Sequence, residues 1–366
     1  MTPHYIYMHG IKPLLRFLAP LLAIVAAFMV CALILLVTSQ NPLTAGAALL
    51  DGAFGSRVRL AESFAKTVPL LLTGLSVAVA FRAGFFNIGA DGQFLIGALA
   101  ATGIATKTSL PLKVLLPAAI LGGIIGGTLW ALIAGWLKYR RGAPEIITTI
   151  MLNYVAVALV AFSLQLPSTP GGVHGWLLET AQSQPQSDVL PRAAQLPSLL
   201  SGTTLHAGAI LALLCTLGVW WLFTRTEKGF LMRAAGSGER AAKIAGIATV
   251  SQAYFAVGLC GALSGLAGAL EICGATKQLS TGTPGYGYTA IAVALLANLN
   301  PLAMIPAAML FGFLDAGGGA MERTAGIPAV MVSVITGVLI CAVALMPRFK
   351  WAGQSRAQLK TLFFGS

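Results

Sequence analysis

Long apolar runs recur along the chain between short polar segments, and this pattern predicts membrane-spanning helices. A helix needs about 20 apolar residues to cross the hydrocarbon core of a bilayer. Runs near this length lie at 18–38, 67–83, 88–106, 112–137, 145–165, 205–224, 251–272, 284–299, 301–320 and 327–346. The eighth and ninth runs are short and meet at Asn298 to Pro301, so we expect a broken or re-entrant pair there. The sequence therefore predicts an all-α, polytopic bundle of about ten transmembrane helices.

Composition and charge agree with a membrane protein. Charged residues make up 9% of the chain, against about 25% in a typical soluble domain, and the mean hydropathy is +0.84. If the N-terminus lies inside, 15 of the 23 Lys and Arg residues fall on inside segments. This bias predicts that both termini are cytoplasmic, and it accounts for the net charge of +12 without a nucleic-acid partner.

The same count divides the chain into cytoplasmic and external parts. We expect one transmembrane domain over residues 1–366 in a bacterial inner membrane. Its extramembrane segments would be a cytoplasmic N-terminus at 1–17, an external loop at 166–204, a cytoplasmic segment at 225–250 and a cytoplasmic tail at 347–366.

The inside segment 225–250 is basic and rich in Ala, and residues 237–248 fit a short amphipathic helix. Ser237 is a candidate N-cap, and Gly246 would let the chain turn back toward the membrane. One face would carry small and apolar side chains, and the other would carry charges: Ala241, Ile244, Ala245 and Ala248 against Glu239, Arg240 and Lys243. Such a face is suited to a groove on a partner protein.

Several polar side chains fall within membrane depth. Asn87, Asp91 and Gln93 follow Phe86 at the start of the third run. They either line a solute pathway or serve the structure, with Asn87 and Asp91 as helix caps and Asp91 paired with Arg82. Asn153 lies deep in the fifth run, where it either bonds a neighbouring helix or contacts a substrate.

Other features are expected to serve packing. The pairs Gly122/Gly126 and Gly123/Gly127, with Gly261/Gly265, give two helices small-residue faces. Glu271 lies near the outer end of its run, where it would reach water, and Asp315 precedes three glycines. The five cysteines form no CxxC pair, and no spacing suggests a metal or cofactor site.

Three segments resemble the permeases of ATP-binding-cassette (ABC) importers in the branched-chain amino acid, ribose and nucleoside group. They are FRAGFFNIGADGQFLIGALAA from Phe81, RGAPEIITTIMLNYVAVAL from Arg141, and the run from Gly229 to Ile247. General nucleoside permeases of the guanosine type are especially similar. The resemblance implies two cytoplasmic ATPase subunits, a second permease (identical or homologous), and an external binding protein or lipoprotein. The chain has no GxxxxGK[ST] phosphate loop, so the resemblance implies a transport subunit rather than an enzyme.

Two candidate sites follow. The ATPase-coupling residues would be Glu239, Arg240, Ala241, Ala242, Ile244, Gly246 and Ile247, and the translocation-path residues would be Phe86, Asn87, Asp91, Gln93 and Asn153. The expected solute is a nucleoside or simple sugar. The main alternative is an ion-coupled secondary transporter of a small polar solute, which would also use broken helices but would not need the Ala-rich inside segment. An intramembrane serine protease is disfavoured, because His206, at the outer edge of the sixth run, is the only histidine that could serve Ser264 as a base.

Overall fold

A computed structural model describes residues 25–37, 40–165, 175–178, 185–282, 285–328, 330–335, 337–338 and 341. Within these residues the protein is helical, with isolated β-bridges and no strand. The predicted tails 1–17 and 347–366 lie outside the described residues, as do parts of the first and last apolar runs and of the expected external loop. The helical class is confirmed.

The helices are listed in chain order, with two short elements between them. They are α1 (Val25–Val37), α2 (Pro42–Phe54), α3 (Arg57–Arg82), α4 (Ala90–Lys107), α5 (Leu112–Arg141), α6 (Glu145–Ser163), a 3₁₀ turn (Arg192–Ala194), α7 (Gly208–Arg225), α8 (Glu227–Ser237), α9 (Glu239–Ile244), α10 (Thr249–Leu270), a π-helical turn (Glu271–Thr276), α11 (Tyr286–Leu296) and α12 (Pro301–Ala325).

Six helices of the described part are long and apolar enough to cross a membrane. These are α3, α5, α6, α7, α10 with its π-helical turn, and α12. Helix α3 begins ten residues before the predicted run, at Arg57, and α2 occupies a stretch for which the apolar pattern predicted no helix. The total of ten spans stays a prediction.

The described residues group into two compact units. The described residues within 1–52 and 317–366 form the terminal unit, and those within 53–316 form the main unit. In the terminal unit Gly52 lies so close to Ala320 that a β-carbon there would collide with it, and Gly317 lies equally close to the Leu49 carbonyl. Small residues therefore bring these helices together.

The main unit is organised around α10, which packs against α3, α4 and α5. The predicted glycine faces make these contacts. A β-carbon on Gly127 would collide with the Gly261 carbonyl oxygen, and one on Gly265 would collide with the Gly123 carbonyl oxygen. Gly97 of α4 meets Gly265 in the same way, so three helix backbones touch directly.

Two interruptions divide helices inside the main unit. Residues 83–89 leave helical geometry between α3 and α4, and Phe85 from this segment is buried among Ala80, Ala131 and Val257. Helix α11 has 11 residues. It is therefore about 16 Å long, roughly half of a bilayer's hydrocarbon core.

The expected break between the eighth and ninth runs is confirmed. After α11 the chain turns through Asn298 and Leu299, which both have positive φ (51° and 58°), and α12 begins at Pro301. Proline is well suited to a first helical position because its missing N–H would have no intrahelical acceptor there. The eighth run is thus a half-helix rather than a span.

Candidate functional site

The buried amides Asn87 and Gln93 bind each other across the start of α4. Asn87 Nδ2 donates to Gln93 Oε1 and Gln93 Nε2 donates back to Asn87 Oδ1, both over 3.2 Å. Asn87 Oδ1 also accepts the Gly89 N–H at 2.9 Å, which forms a turn ahead of the helix, and Asn87 Nδ2 lies 3.3 Å from the Cys260 sulfur. The pair therefore fixes the interrupted segment 83–89 against α10.

Asn153 of α6 joins three chain segments. Its Oδ1 accepts the Gly92 N–H at 2.9 Å, and its Nδ2 donates to the Ile88 carbonyl at 2.9 Å and to the Tyr288 hydroxyl at 3.1 Å. The Gly92 N–H belongs to the first turn of α4, where backbone donors have no intrahelical acceptor. Of the two roles left open, the interhelical hydrogen bond is the one observed.

Asp91 connects the first turns of α4 and α11. Its Oδ1 accepts the Gly287 N–H at 3.1 Å, and Gly287 packs so closely on Asp91 that a β-carbon would not fit. Gly89 is the N-cap of α4 and no side chain caps the helix, so the alternative in which Asn87 and Asp91 are helix caps is not observed. The start of the half-helix α11 is thereby held against the start of α4.

Phe86 differs from the other predicted path residues because its side chain is 52% exposed. Its ring lies 5.2 Å from the Phe81 ring. Asn87, Asp91, Gln93 and Asn153 are all buried. The structure thus gathers the five predicted residues around one helix interruption, with four bracing it and one exposed.

The predicted coupling segment folds as two helices joined at a bend. Helix α8 runs to Ser237, and α9 covers Glu239–Ile244, which is shorter than the predicted helix over 237–248. Gly238, not Ser237, is the N-cap, and the Ser237 hydroxyl donates to the Arg233 carbonyl instead. The predicted turn after the helix is confirmed, since Gly246 has φ +80°.

The apolar face of α9 lies on the surface. Ile244 is 90% exposed, and Ala241, Ala245 and Ala248 are exposed beside it. Ala242 is buried and points into the protein, and Ile247 is partly buried with its N–H bonded to the Ala242 carbonyl. Ala242 therefore does not belong to the exposed face. We call Ala241, Ile244, Ala245 and Ala248 the α9 face.

The charged side of α9 carries an ion pair across one helical turn. Lys243 Nζ lies 2.7 Å from Glu239 Oε1, and both side chains are largely exposed. The Lys243 hydrogen bond holds the pKa of Glu239 below its usual value. Arg240 is also exposed. Such surface pairs contribute little to stability, so these charges remain free to meet a partner.

Helix α8 lies directly against the interrupted segment. A β-carbon on Gly236 would collide with the Arg82 carbonyl oxygen. Gly84, with φ +76°, also packs directly against the backbone of Gly236. The Arg82 guanidinium lies 4.8 Å from the centre of the Phe223 ring. A displacement of α8 and α9 would therefore reach the segment that leads into Asn87.

The sequence interpretation missed one polar cluster. Lys66 Nζ lies 3.3 Å from Asp315 Oδ2 and donates to the Tyr286 hydroxyl at 3.2 Å. Glu271, expected to reach water, is buried near this lysine. Lys66, a basic residue inside the apolar helix α3, was the signal in the sequence that could have revealed this cluster. Its partners could not be identified from the sequence, because they lie on three other elements.

Known proteins match the chain over most of its length. Residues 59–344 match the family model described as branched-chain amino acid transport system, permease component. A glucose ABC transporter permease protein of Haloferax volcanii is 33% identical over 90% of this chain and 88% of its own. A guanosine ABC transporter permease protein of Bacillus subtilis is 33% identical over 91% and 94%.

A nucleoside ABC transporter permease protein of Lactococcus lactis subsp. cremoris is 31% identical over 90% of this chain and 91% of its own. No solved structure matches the chain. The family model covers well over half of the sequence, and these relatives align along nearly all of it. The chain therefore belongs to the family of permease components of branched-chain amino acid transport systems.

Proposed function

We propose that this protein is the membrane-spanning permease subunit of an ABC importer for nucleosides or simple sugars. The single observation that carries the proposal is the α9 face, an exposed apolar surface on a basic segment between two membrane-spanning helices. The chain has no phosphate-binding loop, so hydrolysis energy has to arrive from another subunit. The α9 face is where we place that subunit.

The route from this surface to the solute path runs through close backbone contacts. The ATPase would move α9 and α8, and Gly236 would pass the movement to the segment 83–89. That segment carries Asn87 and leads into α4, whose first turn is bonded to α11. Interrupted helices that meet at membrane depth are where transporters commonly place their solute site.

The exposed aromatic rings beside this interruption suit an uncharged ring-shaped solute. Phe86 and Tyr288 are both exposed there, and Tyr288 is fixed through its hydroxyl by Asn153. We assign Phe86 to direct solute contact, and Asn87, Asp91, Gln93 and Asn153 to positioning the path. The nucleoside and glucose transport named for the relatives supports this solute class. The secondary-transporter alternative gives the α9 face no role.

The proposed topology places α8 and α9 in the cytoplasm and residues 185–207 outside, with both chain termini cytoplasmic and about ten spans in a bacterial inner membrane. Support comes from α10, which starts just after α9 and ends at a π-helical turn bonded to the opposite loop, where Leu196 N–H donates to the Cys273 carbonyl at 2.7 Å. In a background free of native cysteines, Leu199→Cys should react with an impermeant maleimide in intact cells. Lys243→Cys should react only after permeabilisation, and the reverse pattern would invert the topology.

The partners follow from the same assignment. They are two cytoplasmic ATPase subunits, a second permease subunit that completes the path, and an external binding protein or lipoprotein that delivers the solute. Neither a cofactor nor nucleic acid is needed for this role.

The test of the function uses Ile244. Burial of an isoleucine side chain contributes about 2 kcal/mol, so Ile244→Ala should weaken ATPase binding roughly 30-fold. The permease itself should stay equally stable, because this side chain is 90% exposed in the free chain. Ile244→Asp should abolish both co-purification of the cognate ATPase and uptake of tritiated guanosine or glucose.

Two matched variants control this experiment. Ile244→Leu keeps the apolar anchor and should retain both properties. Leu199→Asp places the same charge on an exposed leucine at the opposite end of the main unit and should retain the ATPase. If Ile244→Asp still binds the ATPase and transports normally, the coupling assignment is wrong, and that result would favour the secondary-transporter alternative.

A further inference from the structure

Four side chains from four elements meet in the main unit at the end nearer residues 185–207. Lys66 of α3 donates to the hydroxyl of Tyr286, the first residue of α11, and pairs with Asp315 of α12. Its ammonium group also lies 5.7 Å from the centre of the Tyr286 ring and interacts electrostatically with Glu271. Glu271 begins the π-helical turn after α10. We call these four residues the Lys66 cluster.

The cluster lies well inside the helices that carry it. Lys66 is nine residues from the start of α3 and Asp315 is ten residues from the end of α12, which is about 15 Å along each axis. Ionisable groups at such depth are costly against lipid and normally face a hydrated cavity or another protein group. The position alone therefore requires an explanation.

The two charged groups at the surface of the cluster are only partly covered. The side chains of Lys66 and Asp315 are 36% and 48% exposed, whereas Glu271 and Tyr286 are buried behind them. An ion pair that served packing alone would be expected to bury its charged atoms between the helices. The charged atoms of this pair instead stay accessible although they lie well within both apolar helices, where hydrocarbon would be an unsuitable neighbour.

The cluster adjoins the helix interruption through Tyr286. The next residue, Gly287, donates its N–H to Asp91 at the start of α4. The Tyr286 ring also packs edge-to-face on Phe94 of α4, with ring centres 5.7 Å apart. Any shift of α11 would therefore move the partner of Lys66 and the brace of α4 together.

The donors and acceptors of the cluster fit a neutral solute with several hydroxyl groups. An ammonium group has three donors, and ionised carboxylates have several lone pairs each, more than one Lys–Asp contact uses. A sugar or ribose ring offers adjacent hydroxyls that both donate and accept. A solute with a net charge would be attracted by one member of the Lys66–Asp315 pair and repelled by the other.

We propose that the Lys66 cluster is a solute-binding station of the translocation path, at which Lys66 and Asp315 contact the hydroxyls of a neutral polyhydroxylated solute. Tyr286 and Glu271 are positioning residues that hold the Lys66 ammonium in place. The inference rests on the proposed permease function and adds a contact site to it, one that the pattern of apolar runs did not reveal. A contact with the second permease is the competing explanation of the exposed charges.

The test compares Asp315→Asn and Lys66→Met with Glu62→Gln in the assembled transporter. Glu62 is partly exposed one helical turn before Lys66 and makes none of the contacts that define the cluster. Uptake of tritiated guanosine and of glucose is measured against concentration, together with subunit co-purification. We expect Asp315→Asn and Lys66→Met each to raise the half-saturating concentration at least tenfold with intact assembly. Glu62→Gln should behave like the parent protein. Lys66→Arg, which keeps the positive charge, should retain most of the uptake.

A charge exchange separates solute binding from structure. The double variant Lys66→Asp with Asp315→Lys retains an ion pair, so it should assemble like the single variants and should not recover uptake. Full recovery of uptake would overturn the proposal, as would normal half-saturation in both single variants. Loss of the second permease from the purified complex would also overturn it and assign the charges to that interface. Failure of the parent protein to transport either solute would instead count against the proposed function.

Discussion

The replacement of Asn153 is the substitution whose effect on stability follows most directly from the structure. The change Asn153→Leu keeps a side chain of similar length and removes every hydrogen bond that it makes. If Asn153 only contacted the solute, this substitution would alter uptake while the permease still assembled. The structure predicts a loss of stability instead, because the amide bonds one buried backbone group, one partly buried backbone group and one tyrosine on three different segments.

The magnitude follows from the groups left without partners. Gly92 N–H is buried in the first turn of α4, and the Ile88 carbonyl belongs to the interrupted segment. An orphaned buried polar group costs about 1–3 kcal/mol, whereas interhelical hydrogen bonds in membranes average only about 0.6 kcal/mol. Tyr288 is exposed and can find another partner. Weighing these values, we expect a total loss of about 3 kcal/mol.

The assay is thermal unfolding of the purified permease in detergent. At about 1–2 °C per kcal/mol for a chain of this length, Asn153→Leu should lower the melting temperature by roughly 3–6 °C. Thr148→Val on the same helix is the matched control, because its hydroxyl donates only to carbonyls at the start of its own helix, over 3.1 and 3.2 Å. It should change stability by less than about 0.5 kcal/mol. Equal melting temperatures for both variants would refute the bracing role of Asn153.

Two further predictions concern packing and pH. Gly127→Leu should prevent stable folding, because the new β-carbon would strike the Gly261 carbonyl oxygen, and the protein should aggregate on size-exclusion chromatography. The control Gly218→Leu has open space around it and should elute as a monodisperse peak. Equal elution profiles for the two variants would contradict the close approach of Gly127 to Gly261. His206 is buried, and its Nδ1 accepts the Gly208 N–H. Burial lowers the pKa of this histidine from 6.5 to about 4. Between pH 4 and pH 6.5 the unfolded chain therefore binds one more proton than the folded protein. Stability should fall as the pH drops from 6.5 toward 4, and His206→Asn should flatten that fall in melting temperature; parallel curves would exclude this histidine as the cause.

Much of this protein follows from local patterns along the chain. Apolar runs of bilayer length require helices, because a backbone in lipid has to satisfy its own hydrogen bonds. Glycines four residues apart share one helix face, so the contacts of Gly127 and Gly265 were predictable from spacing. The turn at Gly246 and the pair between Glu239 and Lys243 also depend only on neighbours within a few residues.

The orientation of α9 shows where local patterns end. The sequence placed Ala242 among the coupling residues, yet it is buried while Ile244 is exposed. The predicted helix over 237–248 contained both residues, and its true length was set by the bend at Gly238. A helix of six residues has its direction fixed by the elements on either side rather than by its own amphipathicity.

The sequence by itself determined the helical membrane class, the glycine faces, the broken pair at Asn298 and the place of the short helical segment that carries the α9 face. Only the tertiary structure decided which polar groups meet. Asn153 bonds residues that lie 61, 65 and 135 positions away, and Lys66 meets a tyrosine 220 positions away. Such partners depend on the crossing angles and the rotation of whole helices. Those are fixed by the packing of many side chains at once, and no local pattern along the chain encodes them.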